Sequence, residues 1–143
     1  MNTKPWILIS FLAIGLSACG SSGELTVYDA WARPASAGDN GAAYFVIENG
    51  TNADDSLVSA SADIAGSAEA HMSMVSDQGV ASMQMQQAVQ IPAGDSVAFQ
   101  PGGLHLMLVN LNRELKVGDT FSIILKFEKA GDIPIQIEVK EEQ

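Results

Sequence analysis

Cysteine is almost missing from this chain. Of 143 residues only Cys19, close to the N-terminus, is a cysteine. No intramolecular disulfide can form, and everything after residue 19 is free of thiols. That excludes thiolate nucleophiles, zinc-finger cages and iron–sulfur clusters. It also excludes a blue-copper electron-transfer site, which needs a Cys ligand. Basic residues are scarce as well: 7 Lys and Arg stand against 17 Asp and Glu, a net charge of −10. Nucleic-acid binding calls for a basic patch, and this balance argues against it. No serine sits in a G-x-S-x-G elbow, and no G-x-x-x-x-G-K-[ST] phosphate loop occurs. With two histidines in all, little remains for general acid–base catalysis.

A long hydrophobic run is missing too. The apolar stretch from Trp6 to Leu16 is shorter than the ~20 residues of a spanning helix. It follows Lys4 and precedes small residues, the order of an export signal. The ending "LSAC" (16–19) resembles a bacterial lipobox, which implies cleavage after Ala18 and lipidation of Cys19. Stable anchoring needs more than one acyl chain. The chain therefore divides into a signal peptide (1–18), a lipidated Cys with a flexible Gly/Ser tether (19–24) and one domain (25–143). The expected location is the periplasm, on a membrane through the lipid. Gly20 rather than Asp after Cys19 favours the outer membrane.

What is present reads as an ordinary globular domain, 47% hydrophobic and 17% charged. Turn signals recur every ~8–12 residues, the spacing of an all-β sandwich or barrel. They are "ENGTN" (48–52), "SDQG" (76–79), "PAGD" (92–95), "PGG" (101–103), "KVGD" (116–119) and "KAGD" (129–132). Between them lie β-prone runs at 25–33, 42–49, 55–62, 70–75, 80–85, 96–100, 104–111, 120–129 and 133–140. No segment carries a helical stripe over three turns. The expected fold is an all-β Greek-key β-sandwich of seven to nine strands, with a closed barrel as the alternative. Trp31 is expected to anchor the core. Asp54 and Asp55 read as a solvated turn pair, and Arg33 as paired with an acid or facing a partner.

The chemistry concentrates in one window. Apart from the initiator, the methionines are Met72, Met74, Met83, Met85 and Met107, and both histidines, His71 and His105, lie in or beside that span. In "LHLML" (104–108), Leu104, Leu106 and Leu108 fall on one strand face and His105 and Met107 on the other. Taken singly, a methionine is a core filler. Together, imidazole and thioether form a donor set suited to Cu(I). Neither ligand must lose a proton to bind, and thioethers cannot oxidise to disulfides outside the cytoplasm.

The spacing His71-Met72, ten residues, Met83, twenty-one residues, His105, one residue, Met107 resembles the H(M)-x10-M-x21-H-x-M signature of periplasmic copper chaperones (PCuAC). The stretches 29–50, 53–72 and 91–111 are similar to that family as well. The resemblance implies a cupredoxin-like sandwich with one Cu(I) site near the surface, its ligands His71, Met83, His105 and Met107. It implies copper delivery to the CuA centre of cytochrome c oxidase, with an oxidase subunit or a thioredoxin-like copper protein as partner. A monomer without enzymatic activity is expected. Met72, Met74 and Met85 stay open as substitutes for a ligand. Two other readings compete. One is an adaptor lipoprotein that binds a protein partner through a Met-rich surface. The other, a copper redox enzyme, is disfavoured because a thioether-rich site disfavours Cu(II).

Overall fold

The computed structural model describes residues 23–142. Every regular element among them is a strand: β1 (Leu25–Ala32), β2 (Gly41–Asn49), β3 (Asp55–Ser61), β4 (Ala65–Val75), β5 (Ala81–Met85), β6 (Val89–Ile91), β7 (Ser96–Phe99), β8 (Leu104–Leu111), β9 (Thr120–Phe127) and β10 (Gly131–Val139). The all-β expectation holds. Two differences are local. β4 begins at Ala65, ahead of the expected run, because Ala65–Glu69 is too poor in branched residues to read as a strand. β6 is three residues long, too short for periodicity to show.

Hydrogen bonding runs β4-β8-β2-β1-β10-β9-β3, and β3 pairs back onto β4 through Ala60 and Ala68. Seven strands thus close on themselves into a β-barrel, the closed form that the turn spacing left open beside the sandwich. β5, β6 and β7 attach outside this ring, to β4, β3 and β2. β1 and β10 pair in parallel, and the other pairings are antiparallel. Closure leaves few bare sheet edges. The core fills from inward positions two residues apart: Phe45 and Ile47 of β2, Leu106 and Leu108 of β8, Phe121 to Phe127 of β9, and Ile135 to Val139 of β10.

Single residues met their expectations unevenly. Leu25 and Val27 pair with inward residues of β2, and unbroken alternation would carry Trp31 inward with them. A bulge shifts the register between Tyr28 and Trp31, with Asp29 at φ 53°. The extra residue reverses the facing of the rest of the strand. Ala32 becomes the buried residue, and Trp31 lies half-buried on the outer side, its ring 4.7 Å from that of Tyr44. The core-anchor expectation for Trp31 is therefore corrected. Asp55 is corrected as well: it is 6% exposed, and its carboxylate accepts N–H bonds from Ser56 (2.7 Å), Lys129 (2.9 Å) and Ala130 (2.8 Å). Asp54 stays exposed. Arg33 pairs with an acid, Glu142.

Candidate metal centre

β4, β5 and β8 carry the histidines and the methionines. In β8 the alternation does what the sequence implied. Leu106 and Leu108 are buried in the core, Leu104 packs at its margin, and His105 and Met107 turn to the other face. β4 lies antiparallel to β8, with His71 directly opposite His105 and Glu69 opposite Met107. Directly paired residues share a face, so these four side chains emerge together. β5 returns from β4 through the turn Ser76–Val80, closed by Ser76 N–H to Val80 O at 2.9 Å. Gly79 adopts φ 77° there, a conformation that suits glycine. That hairpin sets Met83 opposite Ser73 and Met85 opposite His71, on the same face again.

Met83, His105 and Met107 line an open cleft of about 540 Å³. Asn40, Ala42, Tyr44 and Arg33 complete much of its wall. His71 is not among the lining residues; it stands beside the cleft, its side chain 14% exposed. The two imidazole centres are 6.0 Å apart. With a metal–imidazole bond of about 2.0 Å, each ring centre stands ~3.1 Å from a shared ion. The observed separation fits two rings holding one ion at a wide angle.

The donor atoms differ in surroundings. His105, 6% exposed, has Nδ1 3.1 Å from the Gly103 carbonyl. His71 has Nε2 3.1 Å from Glu69 Oε2, and its buried Nδ1 has no hydrogen-bond partner. The hydrogen bond from His71 and a second from Ser67 hold the Glu69 carboxyl below its ordinary range. Met107 is half-buried, its sulfur 3.9 Å from Asn40 Nδ2. Met83 is 61% exposed at the rim. Burial pushes the Tyr44 hydroxyl up, against the opposing pull of Arg33, so it stays protonated in the cleft wall.

The family described as "Putative lipoprotein LpqE-like" matches residues 25–139. The chain belongs to the LpqE-like family. Among relatives of this LpqE-like chain, "Putative lipoprotein Lxx21020" of Leifsonia xyli subsp. xyli is 28% identical over 115 residues, which span 80% of this chain and 69% of that protein. The copper-bound PCuAC domain from PmoF2 superposes with a TM-score of 0.70 over 85% of this chain and 97% of that one; at 24% identity the likeness is one of fold. The Cu(I) form of DR1885 from Deinococcus radiodurans is 30% identical, with a TM-score of 0.62 over 86% of this chain and 84% of that one. The PCuAC resemblance drawn from the His/Met spacing holds for family and fold.

Within this LpqE-like domain the pleat sorts the spare methionines. Met72 pairs with Leu104 and Met74 with Ser82, on the face opposite His71. They cannot stand in for a donor beside it. Met85 keeps the right face, directly opposite His71, and like His71 stands beside the cleft, so it stays open as a substitute for Met83. Two polar neighbours escaped the sequence reading. Glu69 announces itself only as an acid two residues before a histidine, and that matters once the segment is known to be a strand. Asn40 comes from a loop, and nothing in the sequence links it to Met107. Cys19 lies outside the described residues.

Proposed function

We propose that this chain is a non-enzymatic Cu(I) carrier working outside the cytoplasm. One observation carries the reading: two imidazoles and two thioethers from β4, β5 and β8 share a single face, with His71 and His105 directly opposed. The kinship with PCuAC domains and with Cu(I)-DR1885 supports it. His71, Met83, His105 and Met107 are the proposed ligands. Soft neutral donors hold Cu(I) without releasing a proton. Met83, exposed at the rim, is the ligand best placed to leave first. An incoming thiolate then takes its position, and copper passes by stepwise ligand exchange.

The proposed acceptor is the CuA centre of cytochrome c oxidase, reached directly or through a thioredoxin-like copper protein. The domain is proposed to work as a monomer, tethered by lipid on Cys19 to a periplasmic membrane face, the outer membrane by preference. Lipoprotein names in the family and in the Leifsonia relative support the anchor. Titration of the mature protein with Cu(I) against a competing chelator tests the site. His105→Ala combined with Met107→Ala is expected to weaken binding by more than the roughly 10–100-fold typical of losing an outer partner. Unchanged affinity in the double variant would refute the ligand set. Capture of a partner that persists in strictly copper-free conditions would favour the adaptor reading.

A further inference from the structure

The two histidines of the face are tied in opposite senses. Ser67, Glu69 and His71 succeed one another at a spacing of two on β4, so their side chains line up on one face. Ser67 Oγ donates to Glu69 Oε1 at 2.8 Å, and Glu69 Oε2 lies 3.1 Å from His71 Nε2. An ionised carboxylate only accepts, so in the neutral ring the proton sits on Nε2 and the lone pair on Nδ1. That Nδ1 is the buried side-chain atom found without a hydrogen-bond partner among the described residues. A buried polar atom with no partner calls for an explanation, and a nitrogen that serves as an ion's donor is one. At His105 the carbonyl of Gly103 also only accepts, 3.1 Å from Nδ1, so the proton sits there and Nε2 carries the lone pair.

We propose that Glu69 is a positioning residue for copper, and that the ion is held by unlike nitrogens, Nδ1 of His71 and Nε2 of His105. This rests on the Cu(I) reading above and adds to it which atom of each ring binds and what fixes it. Glu69 acts through His71 and does not touch the ion. Its carboxylate turns the ring, fixes the tautomer and makes the imidazole a better donor, as outer partners of metal-bound histidines commonly do.

The test is long-range 1H–15N NMR of the histidine rings in the mature protein at pH 8, where imidazoles are ordinarily neutral. It is run without metal and with Cu(I) under anaerobic conditions. The apo protein is expected to carry its proton on Nε2 of His71 and on Nδ1 of His105. Copper is expected to move His71 Nδ1 and His105 Nε2. Glu69→Ala is expected to erase the His71 tautomer preference and weaken Cu(I) binding roughly 10–100-fold. Glu69→Gln, whose carbonyl still accepts from Nε2, is expected to restore the tautomer and most of the affinity. Movement of His71 Nε2 on copper binding, or a Glu69→Ala protein with unchanged tautomer and affinity, overturns the proposal and leaves the copper reading standing. No response of either ring overturns the copper reading and this inference with it.

Discussion

Met83 and Met107 offer the same sulfur but do not start from the same state. Met107 is half-buried in β8, and Asn40 Nδ2 lies 3.9 Å from its sulfur. Met83 is 61% exposed on β5, a strand whose five residues are all exposed. Ordering a methionine side chain costs about 1.5–2 kcal/mol of rotamer entropy. Met107 has lost most of that on folding; as a proposed ligand, Met83 would lose it only on binding copper. The net contribution of Met83 is smaller by about that amount, which corresponds to roughly 10–30-fold in affinity. Replacing each by leucine removes the sulfur at nearly constant volume, a change that costs under about 1.5 kcal/mol even in a core. Met107→Leu is therefore expected to weaken Cu(I) binding roughly 10–30-fold more than Met83→Leu. Met72→Leu and Met74→Leu, on the opposite face, are expected to leave affinity unchanged. Met85→Leu, directly opposite His71 on the same face, tests whether that methionine replaces Met83 as a donor: a loss larger than that of Met83→Leu would move the fourth ligand to Met85. Chelator competition across the five variants reads the order, with thermal unfolding to show that each is folded. A Met83→Leu loss equal to or larger than that of Met107→Leu would refute the ordering argument. Weakened binding in Met74→Leu would refute the assignment of faces.

Leu106→Ala removes a fully buried side chain from between His105 and Met107 and is expected to cost about 2–5 kcal/mol in denaturant unfolding. Asp55→Ala strips the acceptor from three backbone N–H groups joining the start of β3 to the β9–β10 turn, and about 3 kcal/mol of stability is expected to go with it. Burial opposes ionisation of Asp55, but the N–H groups of Lys129, Ser56 and Ala130 and the Lys129 charge outweigh it, so its carboxyl sits below its ordinary value. The unfolded chain then binds the extra proton as acid is added. This contribution is full above the unfolded carboxylate's pKa of about 3.9 and fades as pH falls through the folded value. Urea unfolding from pH 6 down to pH 3 should show a steeper loss for wild type than for Asp55→Asn; parallel curves would remove Asp55 from the account.

Strand period, turn spacing and the long His/Met intervals are local or one-dimensional properties, and they are legible in the chain. The turns at "SDQG" and "KAGD" fall where the hairpins close, β9 keeps the alternation its residues announce, and β8 keeps its leucine face through Leu108. Trp31 escapes such a reading because a bulge reverses facing, and the left-handed Asp29 that makes it has no strong mark in the sequence. Asp55 escapes it because its three donors come partly from a turn more than seventy residues away.

By itself the sequence determined the donor chemistry: imidazoles and thioethers with no thiol after Cys19, and in β8 a run that alternates leucine with His105 and Met107. Only the tertiary structure decided which donors meet. Register between β4, β5 and β8 brings His71 and His105 opposite each other and turns Met72 and Met74 away. It also ties Glu69 to one ring and Gly103 to the other. A one-residue slip would exchange every face, and register is fixed by how the core packs and the ring closes, a property of the whole fold.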